Sequence, residues 1–343
     1  MALQVFGAGR FARDLAQALI ADGEQVMGFL TSAAPGATEF DGLPVQAATP
    51  ALLERAPVCI GVFNREAHSD YRAVARWLRA LAPQVELVWP QSLYGRLAGH
   101  LGFRFWLAEP AAYAAMQTEI AEARELLDEV SRPVFDQLLA FRTQQPDAPP
   151  EPHADMQYLP DWLVDHLSAG DGLRIVDGGA YRGETLQALA SKLPIQQAWT
   201  FEPDADNHVA LVQALRDWPS PATHIPAGLS DHCGLANFAA GAGEASHFGA
   251  AGGRPTPILA LDDCLHGAPV NFLKLDVEGQ ELAALQGACR TLRRERPTLA
   301  IAAYHRWDDL WRLPAFIAGL SLGYRLRLGL HGHNSFDTVL YAY

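Results

Sequence analysis

Apolar residues fall along this chain in short runs that alternate with stretches of helical spacing. Residues 3–6 read as a strand, Gly7 and Gly9 follow, and Phe11, Leu15, Ala18 and Leu19 then share one face of a helix. Further strands are predicted at 25–30, 58–62 and 85–89. Residues 111–145 carry Ile120, Leu126, Leu127, Val130 and Phe135 at helical spacing, and Pro133 is expected to kink or divide that helix. Four prolines within residues 144–155 preclude a regular element and read as a linker. Alternation then resumes, with strands predicted at 173–176, 198–201, 224–229, 271–275 and 298–303. Helices are predicted at 184–193, through Leu211 and Leu215, through Leu282, Leu285, Cys289 and Leu292, and at 313–320. YRLRLGL and DTVLYAY close the chain as two adjacent strands. Such alternation predicts an α/β fold whose mostly parallel sheet binds ligands outside the carboxyl ends of its strands. The pattern divides the chain into a smaller α/β unit at 1–110, a helical connector and proline-rich linker at 111–154, and a larger α/β domain at 155–343.

The 343 residues suffice for two cores, and 49% apolar with 19% charged residues fits a soluble globular protein. A formal net charge of −13 argues against a nucleic-acid partner, whose phosphates are met by positive charge. The four cysteines, Cys59, Cys233, Cys264 and Cys289, include no CxxC pair and read as thiols in a reducing compartment. MALQVFGAGR runs straight into a strand with no signal-peptide pattern, and no apolar run is long enough to span a membrane. Together these readings predict a cytoplasmic protein, with a homo-oligomer left open.

Three segments of the larger domain carry chemistry. In VDGGAYRGETL, Asp177 ends the first strand, Gly178 and Gly179 allow a sharp turn close to a ligand, and Gly183 opens the next helix. That suits the methionine end of S-adenosylmethionine, with Asp177 on its ammonium side. A dinucleotide GxGxxG would need glycine where Ala180 stands. In FEPD, Glu202 ends the second strand, where a carboxylate can accept both ribose hydroxyls of a nucleoside; NAD sites use the same device. In FLKLDVEGQELAALQGA, Asp276 and Glu278 end the fourth strand and could orient or deprotonate an acceptor hydroxyl, while Glu278 and Glu281 also suit the cap of the following helix. His305, after the fifth strand, is a candidate general base. His331 and His333 alone make a poor metal site, and no essential metal is expected.

These motifs, with GLSD at 228–231, LDD at 261–263 and RPTLAIAAYH at 296–305, resemble the FkbM family of S-adenosylmethionine-dependent methyltransferases over residues 155–343. The resemblance implies a class I methyltransferase sheet of seven strands, the last antiparallel. It implies cofactor contacts from Asp177, Gly179, Gly183 and Glu202, with Gly178, Ala180, Glu184, Thr185, Pro203 and Asp276 beside them. Asp231, next to Ser230, would lie near the adenine, and Tyr158 in DMQYLP would edge the pocket. It further implies O-methylation of a small-molecule acceptor, a sugar or secondary metabolite.

The N-terminal unit begins VFGAGRFARDLAQAL, which resembles the start of a Rossmann dinucleotide fold. Gly7, Gly9 and Arg10 could form a second nucleotide site, and Arg13 adds positive charge. The second strand, however, ends in Thr31 and Ser32 with no acid for a ribose. A nucleotide- or nucleotide-sugar-dependent enzyme acting through this unit is the alternative. The preferred expectation is a turn of dinucleotide type that binds no dinucleotide and serves acceptor docking or oligomer contact.

Overall fold

The structure, a computed structural model, describes residues 2–101, 105–143, 151–168, 170–239, 247–248 and 253–343. Most of the proline-rich linker, residues 144–150, lies outside the described residues.

The N-terminal sheet has six strands in the order Glu39–Phe40, Leu43–Ala47, Gln25–Thr31, Ala2–Phe6, Val58–Ile60, Leu87–Val88. All pair in parallel except the outer hairpin. That hairpin was not expected: its second strand is interrupted by Pro44 and carries no clear period. Gly7, at φ +116°, and Gly9 lead from the first strand into the helix Arg10–Ala21, the Rossmann-like turn that the residue order implied.

The C-terminal sheet has seven strands in the order Leu326–Leu330, Thr338–Ala342, Thr298–Ala302, Phe272–Leu275, Leu173–Gly178, Ile195–Phe201, Ala222–Ile225. Thr338–Ala342 is antiparallel to both neighbours, and the other pairs are parallel. Seven strands with the last antiparallel are what the resemblance implied. Two expected elements are divided. The strand anticipated at 224–229 breaks at Pro226, which has no N–H for a ladder. Ala222–Ile225 stays in the main sheet, and Gly228–Ser230 joins a separate four-stranded sheet with Arg254–Ala260, Gly234–Ala239 and His247–Phe248. The helix expected through Leu282 and Leu292 splits into Glu281–Gln286 and Cys289–Glu295 around Gly287. There the backbone passes so close to Ser230 that a Cβ on Gly287 would sit 2.0 Å from its carbonyl oxygen.

The connector forms the helices Pro110–Ala115, Gln117–Leu126 and Ser131–Thr143. Pro133 falls in the first turn of the third, where its missing N–H costs nothing. Tyr113, Ile120, Phe135 and Leu138 share the core of the C-terminal sheet with Leu273, Leu299 and Trp311, so these helices pack as part of that layer.

The two halves meet at the carboxyl ends of their strands. Phe63, Phe105 and Trp106 pack on Tyr304 and Phe336. The side chain of Asn334 accepts from the Tyr71 amide at 3.2 Å and donates to the carbonyls of Asn64 at 2.7 Å and Ser69 at 3.1 Å. Among the described residues, no helix is long and apolar enough to cross a membrane.

Candidate active site

Leu173–Gly178 and Phe272–Leu275 lie side by side, with Gly178 opposite Leu275, so their carboxyl ends bring Gly179 and Asp276 together. Gly179 has φ +72°, and a Cβ on it would lie 1.8 Å from the Asp276 carbonyl oxygen. Both its conformation and its space therefore require glycine. Beneath the turn sits Lys274, 1% exposed, in the middle of an apolar strand. Its Nζ donates to the carbonyls of Gly178 at 3.2 Å and Gly179 at 2.7 Å, and lies 2.9 Å from Asp177 Oδ1. The contact with Asp177 is an ion contact, not an aligned hydrogen bond. Burial alone would push the Lys274 ammonium down, but the carboxylates of Asp177, Asp276 and Glu202 outweigh it and hold it above its ordinary value. Asp177 is wholly buried against this lysine and stands behind the turn. It was expected on the ammonium side of the ligand, directly or through water, and it reaches the turn through Lys274.

Glu202 ends the neighbouring strand. Its Oε2 accepts from the Tyr181 amide at 2.8 Å and its Oε1 from the Asp204 amide at 2.9 Å, which leaves the other lone pairs free for ligand. Burial pushes its carboxyl up to about 7, against the pull of those two amides. Asp204 in turn caps the helix Ala205–Ala214 through the amides of Asp206 and Asn207.

A cleft of about 380 Å³ opens over these groups. Of the residues expected at the cofactor, Tyr158, Gly179, Glu184, Thr185, Glu202, Pro203 and Asp276 line it, as does Glu278. Asp177, Gly178, Ala180 and Gly183 stand behind or beside the lining and shape the turn; Gly183, at φ +93°, is the residue before the helix Glu184–Ala190. Ser230 and Asp231 also fall outside the lining. The break at Pro226 swings Gly228 and Leu229 to the cleft instead, while Asp231 is exposed and pairs with His232 at 2.6 Å. Asp231 therefore stands next to the strand Gly228–Ser230, whose first two residues line the cleft.

On the other side, Tyr158 donates to Asp276 Oδ2 at 2.7 Å. His305 is buried, its Nδ1 2.8 Å from Glu281 Oε1. Its Nε2 lies 3.4 Å from Asp276 Oδ1 and 3.6 Å from Glu278 Oε2. Burial alone would lower the imidazole, but Glu281, Glu278 and Asp276 outweigh it and hold His305 well above its usual range. The surrounding carboxylates thus favour the protonated imidazole. Glu281 Oε1 also accepts from the Val277 amide at 2.9 Å, so Glu281 shapes the turn while Glu278 faces the cleft.

Two charged contributors were not expected. Lys274 had a signal in the sequence, a single lysine inside the run FLKL. Arg65 had none: it comes from the N-terminal half, lines the cleft, and lies 3.7 Å from Asp337. His331 is spent on Tyr341, 2.8 Å away, and on the Asp155 carbonyl. At the N-terminal turn Arg10 is exposed, Arg13 lies over the ring of Phe40, and Phe11 stacks on Phe63 with centroids 4.6 Å apart. The Thr31 hydroxyl donates to the Ala33 carbonyl at 2.7 Å.

Residues 177–326 match the family of the methyltransferase FkbM domain. Among solved structures, methyltransferase FkbM from Methylobacillus flagellatus KT aligns with 100% of this chain and 90% of its own, at 22% identity and a TM-score of 0.77. That likeness extends the shared fold to both halves. A putative rRNA methylase from Clostridium thermocellum aligns at 12% identity over 49% of this chain and 83% of its own, with a TM-score of 0.34. A precorrin-6y C5,15-methyltransferase from Geobacter metallireducens GS-15 aligns at 13% identity over 55% of this chain and 93% of its own, also at 0.34. No curated protein matches the sequence.

Proposed function

We propose that this chain, whose residues 177–326 match the methyltransferase FkbM domain, binds S-adenosylmethionine in the cleft between Glu202 and Asp276 and methylates a hydroxyl of a sugar or another small metabolite. The observation that carries this is Glu202: a buried carboxylate with lone pairs to spare, at the end of the strand next to the Gly179 turn and on the wall of the cleft. There it accepts the two ribose hydroxyls. When bound, the cofactor supplies a methyl group on a sulfonium, and the carboxylates of Glu202, Asp276 and Glu278 suit its positive charge.

Transfer to a hydroxyl is an in-line displacement in which the carbon–sulfur bond breaks as a carbon–oxygen bond forms. The chain's part is to align the acceptor and take its proton. Asp276 and Glu278 face the cleft and are the proton acceptors in this reading. His305 holds them in position from behind. Arg65 brings the N-terminal half to the acceptor side, which favours acceptors that carry a negative group. The N-terminal turn serves as framework for that arm. The cysteines, none of them in a disulfide, fit a reducing, cytoplasmic setting.

The state of Glu202 supplies the test. Hydroxyl donors need the carboxylate, and with its carboxyl near 7 only the ionised fraction is competent. S-adenosylhomocysteine should therefore bind roughly tenfold more tightly at about pH 8 than at about pH 6. Glu202→Gln should weaken binding at about pH 8 by roughly tenfold or more and flatten the pH dependence. Titration calorimetry reads both; a variant with unchanged affinity and the same pH slope would place the nucleoside elsewhere.

A further inference from the structure

We propose that the cavity between the helices Gln117–Leu126 and Asp309–Gly319 is a second ligand site, one that takes a small organic cation with an apolar body, an aryl or alkyl ammonium. The cavity holds about 580 Å³, inside the range of about 300–1,000 Å³ usual for small-molecule sites. Trp307 and Trp311 line it from the segment after the strand Thr298–Ala302, and Met116 and Leu126 from the connector. The two indole rings stand at 74° with centroids 5.1 Å apart, so they form a corner. Tyr113 meets both edge-on, with centroids 5.4 and 5.8 Å away, and its hydroxyl donates to the Trp106 carbonyl at 2.7 Å. The rings are thus held in place before a ligand arrives, which removes part of the ordering cost of binding.

Charge selects the ligand. The carboxylates of Glu119, Glu122 and Asp308 line the cavity against a single guanidinium, that of Arg312. Arg312 is already matched, because its Nη1 donates to Asp308 Oδ2 at 3.0 Å. The other oxygen of the buried Asp308 has no hydrogen bond, with Arg306 Nε 3.7 Å away. Glu119 and Glu122 are exposed, three residues apart on one helix face, and among the described residues neither side chain makes an ion pair or hydrogen bond. An ammonium is attracted by the negative face of an indole, and these carboxylates add to that attraction. An anionic ligand would meet the same carboxylates at close range. The site is separate from the transfer cleft: Glu202, Asp276 and Glu278 do not line it, so a cation bound there is not placed for methyl transfer. Tyr304 lines the cleft while Trp307 and Asp308 line the cavity, so one short segment forms a wall of each.

The test titrates the intact chain with benzyltrimethylammonium by calorimetry, with benzyl alcohol as the uncharged reference. One saturable site per chain is expected, with affinity roughly tenfold or more above that for the alcohol. The exposed double variant Glu119→Gln, Glu122→Gln and the variant Trp307→Ala should each weaken binding by roughly tenfold or more. The double variant keeps the test decisive if Trp307→Ala does not fold. The acidic cofactor cleft is the other place where an ammonium can settle, so the titration is repeated with S-adenosylhomocysteine present. Binding that survives S-adenosylhomocysteine and falls in the variants supports the site. Displacement of the probe by S-adenosylhomocysteine, equal affinity for the alcohol, equal binding by the folded double variant, or no saturable binding would each overturn it.

Discussion

Replacing Lys274 by methionine is expected to lower the stability of the chain by about 3–5 kcal/mol, the usual loss when one member of a buried ion pair is removed. Methionine fills much the same volume, so the effect isolates the charge. Asp177 would be left at 0% exposure with no cation, and the Gly178 and Gly179 carbonyls would each lose a donor. Those carbonyls hold the turn that lines the cleft, so S-adenosylhomocysteine affinity should fall with stability. The double variant Lys274→Met, Asp177→Asn removes both charges and should recover part of the stability. Denaturant unfolding of the two variants checks this; a Lys274→Met variant as stable as wild type would mean the lysine holds nothing in place.

Gly179→Ala should cost about 2–5 kcal/mol, from left-handed backbone strain and from a clash that no side-chain rotation relieves. The added Cβ meets main chain, the Asp276 carbonyl at 1.8 Å, so one of the two strand ends must move. Cofactor affinity should fall at least tenfold in any fraction that folds, because Gly179 and Asp276 are both on the cleft wall. Gly9→Ala is the control. Gly9 has φ −73°, and a Cβ there meets nothing within 4 Å, so the change should stay within about 1 kcal/mol. Equal losses at the two glycines would show that the clash is relieved by easy movement.

The strand ends were legible in the sequence because a parallel sheet buried on both faces leaves apolar runs that stop where the ligand loops begin. Gly179 and Glu202 could be placed for that reason, one turn and one strand apart. The third strand was misread as continuous because Ile225 and Leu229 belong to one apolar run, and only Pro226 between them marks where the chain changes sheet. That local break puts Gly228–Ser230, and Asp231 after it, on the separate sheet. The character of His305 was hidden for a different reason. Its surroundings depend on Glu281 and Glu278, on the neighbouring strand-to-helix turn, and no spacing in the sequence reports that they enclose it. Arg65 was out of reach altogether, since its place depends on how the N-terminal sheet docks against the Asn334 loop.

Titration calorimetry of the intact chain with S-adenosylhomocysteine probes the single S-adenosylmethionine site proposed for the C-terminal cleft. Saturable binding at one site per chain is expected, weakened in Glu202→Gln and unaffected by NAD at equal concentration. Absence of S-adenosylhomocysteine binding, or competition by NAD for the same site, would contradict it.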